Sequence, residues 1–81
     1  MKQIGKVAHY YDKIGVAIIE LTSGLQKGDR VRIEKDGEGF EEEVNSMQVN
    51  HKDVSKAKKG EQVGIKVKER PKQNAVVYLL D

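Results

Sequence analysis

The segment from Val44 to Val67 limits the possible folds of this chain most, because it predicts two strands joined by a short turn. In residues 63–68, apolar side chains alternate with glycine or lysine. A period of two residues gives a strand one apolar face and one basic face. The apolar face must be covered by other strands, so the segment indicates a small β domain.

The first half of this segment is less regular than the second. Val44 and Met47 are apolar residues of opposite parity, so one uninterrupted strand cannot bury both unless it contains a bulge. We expect that bulge near Ser46. Asp53 is expected to cap one helical turn, and Gly60 is expected to end that turn in the left-handed conformation.

The rest of the chain predicts short strands and tight turns without a long helix. Further strands are predicted at residues 4–9, 16–21, 30–34 and 75–80, and the strand that continues through Val44 is expected to begin at Phe40. In the first strand, Val7 is expected to point inward with His9 beside it. The run at residues 16–21 is expected to be buried on both faces. Asp36-Gly37 is a strong hairpin signal.

The residues between these strands predict how the ends of the sheet are closed. Leu25 is expected to plug one end, and Gly28 to adopt a positive φ before the next strand. One glutamate of residues 41–43 is expected to face the interior or its rim, and Pro71 excludes a regular central strand. Six short strands at this spacing predict an all-β fold, a small closed barrel.

Length and composition restrict the class of protein further. With 81 residues, the chain is expected to form one domain over residues 1–81 without a large active-site cleft. It contains no cysteine, which excludes disulfides and thiolate metal sites. The longest aliphatic run, Val16–Ile19, has four residues and is too short for a signal peptide or membrane span. We therefore expect a cytoplasmic protein that does not contact membranes.

Charge is distributed unevenly along the chain. Residues 1–50 hold seven Lys or Arg and nine Asp or Glu, whereas residues 51–72 hold eight and three. A basic half can attract RNA, although a solvated lysine-rich surface also explains it. The candidate RNA-contacting residues are Lys52, Lys56, Lys58, Lys59, Lys66, Lys68, Arg70 and Lys72, with Tyr10 and Tyr11 as stacking residues.

Candidate catalytic and metal-binding residues are few. His51 and Asp53 could act as a base and its orienting carboxylate, but we expect His51 to be a rim residue and Asp53 to be a helix cap instead. His9 is expected to be a packing or edge residue, and the two histidines lack zinc-site spacing. The acidic residues 36–43 do not follow a calcium-loop pattern, so we expect a solvated hairpin. We predict no catalytic residue, metal site or cofactor, and therefore no enzyme.

Two segments of the chain resemble a known family. GVAIIELTSGLQKGDRVRI at residues 15–33 and VNSMQVNHKDVSKAKKGEQVGIKV at residues 44–67 resemble the second domain of translational GTPases such as elongation factor Tu and elongation factor 1-alpha. The whole chain is similar to stand-alone translation elongation factor-like proteins. The resemblance implies a six-stranded Greek-key closed β-barrel and contact with tRNA, rRNA or the ribosome. It implies no GTPase, because the chain lacks a phosphate-binding loop, so no nucleotide is expected.

These observations predict a non-catalytic, translation-factor-like module in protein biosynthesis that associates with RNA or a ribonucleoprotein through its basic face. An alternative is a protein-interaction adaptor. Similar barrels occur as accessory domains of other enzymes, including collagenase-like peptidases that act in RNA modification. The chain would then supply such a barrel in trans to a peptidase-like or RNA-modifying enzyme.

Overall fold

The computed structural model describes residues 1–80, and these residues form strands, turns and loops without a helix. Accordingly, this part of the chain has no helix of the length and apolarity that a membrane crossing requires. The prediction of an all-β fold is confirmed. The strands are β1 (Lys2–Tyr11), β2 (Val16–Leu21), β3 (Leu25–Gln26), β4 (Arg30–Lys35), β5 (Glu38–Glu43), β6 (Met47–Val49), β7 (Lys52–Asp53), β8 (Lys56–Ala57), β9 (Gln62–Lys66) and β10 (Val76–Leu80).

Eight strands form one antiparallel sheet in the order β5-β4-β10-β1-β2-β9-β6-β7, and β3 pairs with β8 separately. The sheet is not closed, so the prediction of a six-stranded closed barrel is wrong. The edge strands β5 and β7 do not pair with each other; β7 has only two residues, and the irregular residues 44–46 follow β5. Val44 instead bonds to the turn after β3, accepting from Gly28 N–H and donating to Asp29 O, each at 2.8 Å.

The inward faces of the strands form an aliphatic core. Alternation predicted this correctly, because Val31 and Ile33 of β4 are buried, as are Val63 and Ile65 of β9. Leu25 is also buried, as expected for a plug. The core consists of Ile4, Val7, Ala17, Ile19, Leu21, Leu25, Val31, Ile33, Phe40, Val44, Met47, Ala57, Val63, Ile65, Val67, Ala75 and Val77.

The prediction that β2 is buried on both faces is wrong. Ala17 and Ile19 point into the core, but Val16 and Ile18 are only half-buried on the outer face of the sheet. In residues 1–80, neither side chain is covered to the extent of the core residues beside it. An apolar patch therefore remains on the outside of β2.

β1 contains an extra residue opposite β2. Its register passes from Val7↔Ile19 to His9↔Ile18, leaving Ala8 without a partner in β2. Val7 is fully buried, whereas His9 is exposed. The prediction that both point inward is therefore wrong, because this bulge turns His9 outward.

The segment around Ser46 and Asp53 also differs from its prediction. Residues 44–46 separate β5 from β6, so a break between two strands, rather than a bulge within one, accommodates the change of parity. The predicted helical turn after Asp53 is wrong, since β8 pairs with β3 and places Ala57 opposite Leu25. Gly60 does adopt the left-handed conformation, with φ of 92°.

Two local predictions are confirmed. Asp36 and Gly37 have φ of 55° and 81°, as the two central residues of a hairpin require. Glu42 is the glutamate that turns inward. It is 9% exposed, and its Oε1 accepts a hydrogen bond from the backbone N–H of Lys68 at 2.8 Å.

The close packing of β1 against β2 can be tested at Gly5, a glycine in β1. A Cβ at Gly5 would lie 2.6 Å from the backbone oxygen of Glu20 and 2.7 Å from Ile19 Cγ2. Because the oxygen belongs to the paired strand, β2 would have to shift. We expect Gly5→Ala to lower the free energy of unfolding by about 1 to 3 kcal/mol in urea denaturation. Gly24→Ala is the matched control, since its nearest atom lies at 3.7 Å, and equal midpoints for both variants would contradict the packing.

Candidate functional site

The outer face of β1, β2, β9, β6 and β7 carries a row of residues across the sheet. The pairing places His9, Ile18, Gly64, Gln48 and Asp53 side by side. Gly64 has no side chain, so the surface dips at its position. A Cβ there would lie 3.3 Å from both Ile18 Cδ1 and Val16 Cγ1, which therefore border the dip.

This dip is part of a groove of about 630 Å³, which we call the histidine groove. Charged residues make up 35% of the chain, yet the lining contains no Lys, Arg, Asp or Glu. Depletion of charge is typical of the centre of a protein–protein interface. The groove is lined by Ala8, His9, Tyr11, Ile14, Val16, Ile18, Gln48, Asn50, His51, Gln62 and Gly64.

One wall of the histidine groove comes from β1 and the turn that follows it. The rings of His9 and Tyr11 meet edge to face, with their centroids 4.4 Å apart at 71°. In the turn, Ile14 is 59% exposed, although the backbone around it is fixed. The N–H of Gly15 bonds to Tyr11 O, and its carbonyl accepts from Val67 N–H, both at 2.9 Å. An ordered turn thus presents an apolar side chain to solvent.

The opposite wall comes from the tight turn between β6 and β7. Val49 pairs with Lys52, so Asn50 and His51 are the two central residues, with φ of 52° and 65°. Such turns favour Asn followed by Gly. His51 is unusual, because the other residues with positive φ in the described chain are Gly, Asn or Asp. Backbone strain of this kind is often found at functional sites.

The structure distributes the predicted RNA-contacting residues over different surfaces. Lys72 Nζ contacts Glu38 Oε1 of edge strand β5 at 2.8 Å, whereas Lys52 lies on β7 at the other edge of the sheet. Lys66 lies on β9 beside the histidine groove, opposite Val16. The others are exposed on β8, the turn before β9 and the loop after it: Lys56, Lys58, Lys59 and Lys68.

The two predicted stacking residues point to opposite faces of β1. Tyr11 lies in the histidine groove, while half-buried Tyr10 packs against the core. The guanidinium carbon of Arg70 lies 5.7 Å from the ring centroid of Tyr10, and its Nη1 is 3.7 Å from Asp12 Oδ2. Contact of these residues with RNA stays a prediction.

The candidate catalytic and metal-binding groups have other contacts. Asp53 Oδ1 accepts a hydrogen bond from Gln48 Nε2 at 3.1 Å, and His51 lines the groove. Glu38 pairs with Lys72, and Glu41 lies 3.8 Å from Arg30. Residues 1–80 bring together no three His, Asp or Glu side chains that could hold a metal ion.

The histidine groove was not predicted from the sequence. Two local signals point to it: a glycine inside a strand, which often marks a close approach, and the Asn50-His51 pair at a hairpin turn. The bulge at Ala8, which brings His9 to the same face, has no comparable signal. The groove therefore becomes evident from the register between strands rather than from any single motif.

Comparison with protein families and curated sequences gives one close relative. No family model matches the chain. Over 79 residues the chain is 48% identical to an uncharacterised protease of Methanocaldococcus jannaschii. The match covers 96% of this chain and 19% of that protein, so the chain spans about a fifth of the length of the curated relative it matches.

Solved structures show the same fold. The chain matches the crystal structure of the C-terminal domain of a Geobacillus thermoleovorans protein assigned to the U32 peptidases, with a TM-score of 0.91 and 18% identity. The match covers 99% of this chain and 93% of that structure. The selenomethionine variant of that domain gives a TM-score of 0.86 at 21% identity, with coverage of 96% and 99%.

These comparisons overturn the resemblance to translation factors. The matches are a protease and peptidase C-terminal domains, so the prediction of a translation elongation factor-like module of protein biosynthesis is wrong. The motifs that suggested it serve local geometry. Leu25 fills the core, and Gly28 supplies a φ of 93° in the turn before β4.

The ion pair between Lys72 and Glu38 gives a testable pH dependence. Lys72 Nζ donates a hydrogen bond to Glu38 and attracts its charge, which lowers the pKa of Glu38 below 4.5. The stability from this ionised carboxylate is present above pH 4.5 and is lost as the pH falls through the lowered pKa. In Lys72→Gln, NMR titration should show the pKa of Glu38 returning toward 4.5. Lys35→Gln should leave it low, because Lys35 Nζ donates to Gln73 O instead.

The turn at His51 gives a second prediction, for stability. Gly adopts the left-handed conformation without the steric cost that His bears, although it loses more entropy on folding. We expect His51→Gly to leave the free energy of unfolding unchanged or to raise it by up to about 1 kcal/mol. His51→Ala keeps the strain and should be less stable than His51→Gly in urea denaturation. The reverse order would show that His51 is not strained.

Proposed function

We propose that this chain is a non-catalytic accessory β domain that works with a peptidase-like enzyme through protein–protein contact. The observation that carries the proposal is 48% identity over 79 residues to part of a protease. That part makes up 19% of the relative, the proportion expected of a domain added to a larger enzyme. The U32 peptidase C-terminal domain of the same fold supports this arrangement.

The surface of the chain supports binding rather than catalysis as its contribution. The carboxylate of Asp53 is directed to Gln48 and so does not orient His51. The histidine groove instead offers exposed Ile14 and half-buried Ile18 within an uncharged lining. We assign the chemistry to the enzyme and the contact to this groove-bearing face.

Isolation of the tagged chain from its own cells, at about 0.15 M and about 0.6 M salt, tests this function. We expect a peptidase-like enzyme to be recovered with it at both concentrations, because apolar contacts resist salt whereas phosphate contacts do not. Recovery of the sequence within a longer peptidase-like polypeptide would give the same support.

A variant with Lys58→Gln and Lys59→Gln is the matched control, since it removes exposed basic residues away from the groove. It should recover the enzyme as well as the unchanged chain does. The proposal is wrong if the chain is recovered alone, or only with RNA in a complex that RNase dissolves.

A further inference from the structure

The floor of the histidine groove suits an apolar side chain. Gly64 leaves the dip, and half-buried Val16 and Ile18 border it with aliphatic carbon. An apolar group placed there would remove both from water, which is favourable in proportion to the area covered. The groove volume of about 630 Å³ exceeds one side chain and leaves room for the adjoining backbone.

The polar groups around this floor suit a peptide backbone. Gln48 lies beside Gly64 on β6, and Gln62 precedes Gly64 by two residues on β9. Each amide nitrogen bonds to a carboxylate oxygen, of Asp53 at 3.1 Å and of Glu20 at 3.3 Å. These bonds hold the side chains in place and leave each amide its second N–H as a donor and its carbonyl oxygen as an acceptor. Amide groups both donate and accept, as the N–H and C=O groups of an extended segment require.

A single cation adjoins the apolar floor along β9. Lys66 is two residues from Gly64 and on the same outward face, about 7 Å farther along the strand. It takes no part in the four ion pairs of residues 1–80. In an extended segment lying parallel to β9, the residue two positions away points to the same side and reaches Lys66.

We propose that the histidine groove binds an extended segment of the partner enzyme, with an apolar side chain over Gly64 and an acidic residue two positions away beside Lys66. The identity of the partner rests on the proposed function. The preference for an apolar residue and an acidic residue rests on the groove itself. RNA is disfavoured, because its successive phosphates would meet an uncharged lining.

Peptide probes test the groove directly by NMR on the labelled chain. The probe is the capped pentapeptide Gly-Phe-Gly-Asp-Gly, compared with one carrying Ser for Phe and one carrying Lys for Asp. We expect the first peptide to shift the amides of Ile18, Gly64 and Lys66, and the other two to bind at least about tenfold more weakly. Equal binding of all three, binding of none, or shifts confined to other residues would overturn the proposal.

Charge reversal gives a result that misfolding cannot imitate. Lys66 is exposed, so Lys66→Glu should keep the fold and reverse the preference, binding the lysine peptide better than the aspartate peptide. Lys59→Glu, an exposed change in the turn before β9, should keep the original preference. A reversal by both variants or by neither would contradict a specific contact at Lys66.

Photo-crosslinking identifies the occupant in the complex with the enzyme. A photoreactive residue at Ile14, which is 59% exposed, should crosslink to an enzyme peptide that contains an apolar residue two positions from an acidic one. A second variant carries the photoreactive residue at Lys58, away from the groove. If the enzyme is recovered but only this second variant forms crosslinks, the groove proposal fails and the proposed function stands. If no enzyme is recovered while the peptides bind as expected, the proposed function fails and the groove stands. Displacement of the peptide by oligouridine would overturn the groove proposal.

Discussion

One extra residue in β1 determines what the outer face of the sheet can do. In a regular strand, Val7 and His9 would point to the same side. The unpaired Ala8 changes the side, so Val7 meets Ile19 in the core while His9 meets Ile18 outside. Tyr11 then follows His9 onto the outer face. Both the aromatic wall of the histidine groove and its position over β2 depend on this insertion.

The strands and most of the core could be predicted from the sequence, because alternation within one strand depends only on neighbouring residues. Val31, Ile33, Val63 and Ile65 are examples. The errors concern contacts between distant segments. Residues 52–57 carry local signals for a helical turn. Strand β8 instead pairs with β3, so its backbone forms hydrogen bonds between strands rather than within a helical turn. The prediction of a closed barrel is wrong for a related reason, because closure depends on how two edge strands that are distant in the chain meet.

The candidate site was predictable only in part. Lys66 and Tyr11 were singled out for charge and aromatic character, and both lie at or beside the groove. Density of lysine along the chain did not predict a single basic surface, because Lys52 and Lys72 lie toward opposite edges of the sheet. The groove itself combines residues from three separate parts of the chain. No linear motif could contain it.

The position of β10 has a consequence for how the chain folds during synthesis. This strand lies between β1 and β4, so Val77 pairs with Gly5 on one side and Ile33 on the other. The two parts of the sheet on either side of β10 therefore remain unjoined until β10 has been synthesised. Pairings that span almost the whole chain are slow to form, and the waiting halves expose unpaired strands that can associate with other chains. Pairing of β10 is thus the step that joins the two parts of the sheet.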